Sequence, residues 1–234
     1  MNRFTAALAG LILFGAVVFG CLCFFGRQGF RPAMSDVHLD GFSILIDPGH
    51  GGEDGGALAA DGTPEKTINL QIARMLEPML NACGYQTMLL RESDSLIGDN
   101  SLPTVRQRKV SDIRRRLAAV ELNPDSLLIS IHQNHFTDPK YDGAQVFYSG
   151  NDPRSRLLAE CIQEAVVTRL QPGNTREIKQ SGSNIYLLYH CKTPAVMVEC
   201  GFLSNPAEAE KLKDEAYQRE MAFSVLCGIL NYLE

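Results

Sequence analysis

The chain has 234 residues, 45% apolar and 21% charged, with a formal net charge of −5; that suffices for one well-buried domain with an appendage and is too short for several domains. Beyond residue 36, 19 basic residues stand against 26 acidic ones, which argues against a nucleic-acid partner. The five cysteines of that part, Cys83, Cys161, Cys191, Cys200 and Cys227, are odd in number and include no C-x-x-C pair, so they read as scattered small core residues.

In chain order, residues 4–26 carry no charge and are flanked by Arg3, Arg27 and Arg31. As a helix they would extend roughly 34 Å, enough to cross a bilayer. A cleaved signal peptide has a shorter apolar region and a small-x-small site, which is missing before Arg27. Lipidation at Cys21 is disfavoured by the bulky Phe19 and the apolar residues after it. The expectation is an uncleaved membrane anchor over residues 1–27, a linker over 28–41 and a folded domain over 42–234. The flanking arginines do not orient the anchor.

Residues 43–47, SILID, suit a buried strand. A glycine-rich stretch follows, and then Thr63 and Pro64 resemble a helix start, with Thr63 as cap. Ile68, Ile72, Leu76 and Leu80 recur every four residues, Gly84 marks the stop, and Pro78 predicts a kink. Further along, the pattern predicts strands at 85–90, 126–132, 143–149, 184–189 and 195–199, and helices at 105–122 and 154–170. One or two closing helices are expected over 206–233. This alternation predicts a single α/β domain whose mostly parallel or mixed twisted sheet is covered by helices on both faces.

In such sheets reactive groups collect beyond the carboxyl ends of the strands. Three predicted strands end in ligand-type residues: Asp47 and His50 after the first, His132 after the 126–132 strand, and Glu199 after the last. A phosphate cradle is excluded at the glycine stretch, because Glu53 and Asp54 would repel an anion and no G-K-[ST] follows. A catalytic zinc site uses three nitrogen or oxygen ligands and leaves the fourth position to water. His50, His132 and one carboxylate satisfy that count; spacing leaves Glu53, Asp54 and Glu65 open as the carboxylate, and His135 open as a rival imidazole.

The ordered motifs DPGHGGEDGGA, EKTINL, ISIHQNHF, GAQVFYS and VMVECGFLSNPAE resemble the zinc-dependent N-acetylmuramoyl-L-alanine amidases of the amidase-3 family. The resemblance runs over residues 43–233. It implies His50, Glu65 and His132 as ligands of one Zn2+ and Glu199 as the catalytic glutamate. His135 and Phe136 depart from the small residues common there, which predicts a bulkier rim. LLRESD, RQRKVSDIRRRL, GNTR and NIYLL further resemble the germination-specific spore-cortex amidases of endospore formers. The implied reaction is hydrolysis of the amide between N-acetylmuramic acid and L-alanine in peptidoglycan, ahead of muramic δ-lactam formation. The implied location is a membrane-anchored domain outside the cytoplasm, at the wall or in the forespore intermembrane space, with an accessory protein as a further partner. Another zinc hydrolase of wall peptides, such as a carboxypeptidase, and a silent wall-binding scaffold are the rival classes.

Three finer expectations complete the reading. Asp47 is balanced between capping its turn and orienting His50 as a hydrogen-bond acceptor. The basic run Arg106, Arg108, Lys109, Arg114, Arg115 and Arg116 reads as a solvated helix face, with contact to an anionic polymer, membrane or partner as the alternative. Only about six residues, 150–155, separate the VFYS strand from the next helix; they leave no room for the occluding helix of some family members, so an open groove is expected.

Overall fold

All six residues of β1 (Ser43–Pro48) are buried, as a strand covered on both faces requires. The computed structural model describes residues 41–234. The expected anchor over 1–27 and nearly all of the linker over 28–41 lie outside the described residues; among those described, no helix is long and apolar enough to cross a membrane.

After β1 the chain forms α1 (Glu65–Ala82), β2 (Gln86–Leu89), α2 (Val105–Glu121), β3 (Ser126–Asn134), β4 (Gln145–Tyr148), α3 (Arg154–Arg169) and β5 (Lys179–Gln180). It ends with α4 (Tyr186–His190), β6 (Ala195–Phe202), α5 (Pro206–Lys213) and α6 (Glu215–Leu233). The six strands form one sheet in the order β2-β1-β3-β6-β4-β5. Neighbours are parallel except β4 against β6, so the sheet is mixed, as the sequence predicts.

Alternation along the strands divides the core. Ile44, Ile46, Ile129 and Ile131 pack on one face with Ile68, Ile72 and Leu76 of α1, Ile162 of α3 and Val225 of α6. Leu45 and Leu128 pack on the other with Leu117 and Val120 of α2 and with Leu187 and Leu188 of α4. Strands β2 and β3 flank β1 on opposite sides, so the chain reverses direction across the sheet at β1. In an open α/β sheet that reversal opens a crevice at the carboxyl ends.

Two local expectations are corrected. Residues 184–189 do not form a strand: Tyr189 and Cys191 donate their backbone N–H groups to Ile185 and Leu187, closing the helical turn α4. This segment packs over β6, whose two edges are already taken by β3 and β4, so it has no strand to pair with there. Thr63 does not cap α1; Pro64 is the extended residue before the helix and no side chain caps it. The glycine loop does that work through its carbonyls, Ala57 O accepting from Glu65 N at 2.9 Å and Gly55 O from Lys66 N at 3.2 Å. Helix α1 runs through Pro78 without interruption. Helix α2, by contrast, is capped by a reciprocal box between Thr104 and Gln107.

Candidate functional site

Pairing in β1, β3 and β6 brings the predicted residues to one end of the sheet. Pro48 pairs with Ile131 and His132 with Glu199, so His132 and Glu199 are lateral neighbours. Helix α1 begins beside them and directs Glu65 inward from its first turn. His50 Nε2 lies 3.2 Å from Glu65 Oε2, and His132 Nδ1 lies 2.9 Å from Glu65 Oε1. The ligand atoms of His50, Glu65 and His132 all fall within 4.8 Å of one another, the group among the described residues able to hold a metal ion. Two imidazoles and one carboxylate facing a common point fit the three-ligand pattern of a catalytic zinc. The other candidates fall away: Glu53 turns to Arg108, and His135 is exposed on the rim with Phe136.

The loop leaving β1 is shaped for this group. A Cβ on Gly49 would run into the His132 imidazole, and one on Gly56 would meet His50 Cδ2 at 2.7 Å and collide with the Glu65 carboxylate. His50 itself has φ +62, the only positive φ of a non-glycine among the described residues. Such a conformation costs of order 1–3 kcal/mol and persists where surroundings enforce it.

The enforcement comes from two buried arginines. Arg116 of α2 donates to Pro48 O at 2.9 Å and His50 O at 2.7 Å, and pairs with Asp47 and with Asp112, the latter at 2.7 Å. Arg91, after β2, donates to the carbonyls of Pro48 at 2.8 Å, Gly49 at 3.0 Å and Lys66 at 2.8 Å. Burial draws the Arg91 guanidinium down to about 10. Three successive carbonyls of the loop are therefore fixed by guanidinium donors.

This arrangement corrects two expectations. Asp47 is buried under Arg116 and accepts from Ser130 Oγ at 2.7 Å; it makes no hydrogen bond to His50. Despite its burial, which pulls the other way, Arg116 and Ser130 hold its carboxyl below the usual range. The partner of His50 is Asp54, whose Oδ2 lies 2.9 Å from His50 Nδ1, leaving Nε2 directed at the ligand group. The basic run is only partly a solvated face. Arg116 is interior, Lys109 lies 2.7 Å from Asp54, and Arg108 pairs with Glu53. Asp54 sits four residues after His50, a signal present in the sequence, whereas nothing local distinguishes Arg116 from the arginines before it.

The charges are mutually set. Burial by itself would lower the His50 pKa, but Asp54 and Glu65 outweigh it and raise it to about 9 in the metal-free protein. Burial likewise works against ionised Glu65, yet His132 and His50 keep it well below the usual carboxylate range. Glu65 also accepts from Gln133 N at 3.0 Å, Asn69 Nδ2 at 3.2 Å and Ala57 N at 2.9 Å. Glu199 is the contrast: burial, with Glu65 adding to it, pushes its carboxyl up to about 7. Its Oε2 is buried without a hydrogen-bond partner. A carboxyl poised near neutrality beside an electrophilic centre can take up and return a proton.

A family model described as N-acetylmuramoyl-L-alanine amidase matches residues 44–231. The germination-specific N-acetylmuramoyl-L-alanine amidase of Bacillus subtilis (strain 168) is 36% identical over 194 residues, 83% of this chain and 81% of that protein. The amidase LytC of the same organism is 30% identical over 82% of this chain, which covers 36% of LytC. Among solved structures, the CwlD amidase from Clostridioides difficile in complex with the GerS lipoprotein has a TM-score of 0.79 and 39% identity, covering 82% of this chain and 98% of that one.

Proposed function

The chain belongs to the N-acetylmuramoyl-L-alanine amidase family and is a peptidoglycan amidase, and from that premise we propose how its residues divide the reaction. His50, Glu65 and His132 hold one Zn2+; the observation that carries this is the convergence of their ligand atoms within 4.8 Å. Bound there, zinc supplies a Lewis acid that polarises the lactyl carbonyl and acidifies water. His50 serves through Nε2, with Asp54 fixing its tautomer from the other side of the ring. Glu65 carries the negative charge that matches the ion and is itself held by Asn69 and by backbone donors. Glu199 accepts the proton of the attacking water and returns it to the alanine nitrogen as the amide breaks.

The same reading extends to place and timing. The domain over 42–234 works outside the cytoplasm, tethered by residues 1–27 as a membrane helix and 28–41 as linker. Likeness to the germination-specific enzyme of B. subtilis supports spore cortex as the substrate, with stem peptides removed ahead of muramic δ-lactam formation. The CwlD structure that includes a lipoprotein supports an accessory protein of that kind for this chain.

The test is mass spectrometry of peptidoglycan digested by wild type and by Glu199→Gln, with metal content measured in parallel. The expected wild-type product is a stem peptide with a free L-alanine amino end, and the variant should keep its zinc while losing about 10²- to 10⁴-fold in rate. Full activity of Glu199→Gln would remove the assignment of Glu199, and products trimmed only at the carboxyl end would indicate a carboxypeptidase.

A further inference from the structure

The polar row at the reactive end of the sheet continues past Glu199. His132 pairs with Glu199 across β3 and β6, and Glu199 pairs with Gln145 across β6 and β4; residues directly opposite one another share a face of the sheet. Beyond Gln145, in the segment leading into β5, stands Arg176. Its Nη2 donates to Gln145 Oε1 at 2.5 Å, and its guanidinium carbon lies 4.9 Å from the centroid of the Phe202 ring. Its Nε is buried and finds no acceptor. Among the described residues no carboxylate forms an ion pair with it, although its charge reaches Glu199. A cavity of about 580 Å³ opens beside it, with Lys140 and Lys211 but also Asp142 and Glu208 in its wall.

A guanidinium gains most from a carboxylate, which can take two of its donors at once. Arg176 has instead a neutral amide and an aromatic face, an arrangement that holds the side chain without using its charge. The substrate supplies the missing group. Glu199 gives its proton to the alanine nitrogen, so the peptide extends from the metal ligands toward Glu199 and the strands beyond. The second residue of a stem peptide is a γ-linked D-glutamate, and its α-carboxyl lies about 7–8 Å from the scissile carbonyl carbon in an extended chain. Gln145, which holds Arg176, stands two strand spacings from His132, about 10 Å.

We propose that Arg176, held by Gln145 and Phe202, forms a subsite for the α-carboxylate of the second stem-peptide residue and makes the enzyme prefer D-isoglutamyl over D-isoglutaminyl stems. This rests on Glu199 serving the leaving amine. The test uses the full-length, zinc-loaded protein in detergent with two muramoyl tripeptides that differ only in that carboxylate or carboxamide. Wild type should show a kcat/KM about 10- to 100-fold higher for the carboxylate. Arg176→Gln should bring the kcat/KM values for the two substrates together, and Arg176→Lys should restore part of the difference. Equal kcat/KM of wild type for the two substrates overturns the proposal, whether or not the variants fold, and so does an equal loss on both in Arg176→Gln. Cleavage of these substrates elsewhere than at the lactyl amide would instead overturn the reading of Glu199 on which the proposal rests, which separates the two failures.

Discussion

At His50 a left-handed backbone and a two-sided imidazole are fixed together, so the residue is set for its partner before a metal arrives. Its ring nitrogen Nδ1 is engaged by Asp54. Asp54→Asn should therefore lower zinc affinity by about 10- to 100-fold, measured by competition with a chelating dye; an unchanged affinity would show that Asp54 does not orient the ring. The pH dependence has a definite sign. In the metal-free protein the His50 pKa is raised from its ordinary 6.5 to about 9, so its contribution to stability is complete below about pH 6.5 and is lost as pH rises through about 9. Glu199, raised to about 7, acts in the same direction between its ordinary value near 4.5 and 7. Denaturant titrations of the metal-free protein should give a stability that declines from about pH 5 to pH 9. Zinc requires the neutral imidazole, so its affinity should rise over the upper part of that range. A flat metal-free profile would sink this account.

At the scale of elements, the junction between β1 and α1 is a loop held by other elements. Arg116 reaches it from α2 and Arg91 from the end of β2, and in return the loop's carbonyls cap α1. Arg116→Met would leave Asp47 and Asp112 buried without their cation, and an unpaired buried charge costs about 3–5 kcal/mol. Chemical denaturation should read a loss of that size. Gly49→Ala tests the close approach to His132 and should abolish zinc binding at modest cost in stability, read by metal analysis beside thermal melting. Periodicity made α1, α2 and α3 legible to within a residue or two, because each buries one apolar stripe. It failed at residues 184–189, where a short apolar run is equally suited to a strand or to one helical turn, and only the occupied edges of β6 decide. Thr63 failed as a cap because the donors it would satisfy already have partners in the glycine loop.

For the whole molecule, the site lies where α1, β1, β3 and β6 meet, so metal binding and folding are linked. Zinc at 1,000 times its dissociation constant should add about 4 kcal/mol and raise the thermal midpoint by on the order of 10 °C. Calorimetry with and without chelator checks this, and equal midpoints would mean that the ligand group is not coupled to the fold. The α/β class, the strand ends that carry chemistry, and His50, His132 and Glu199 as candidates were determined by the sequence alone, because alternation, glycine content and ligand-type residues are local properties of the chain. Resemblance to a family, also carried by the sequence, singled out Glu65 from three possible carboxylates. Tertiary structure decided that Asp54, and not Asp47, partners His50, that Arg116 is an interior cation, and that Arg176 stands in line with Glu199. Each of these depends on pairing between strands and helices far apart in the chain, and a side chain's burial and charge partners exist only once that pairing is made.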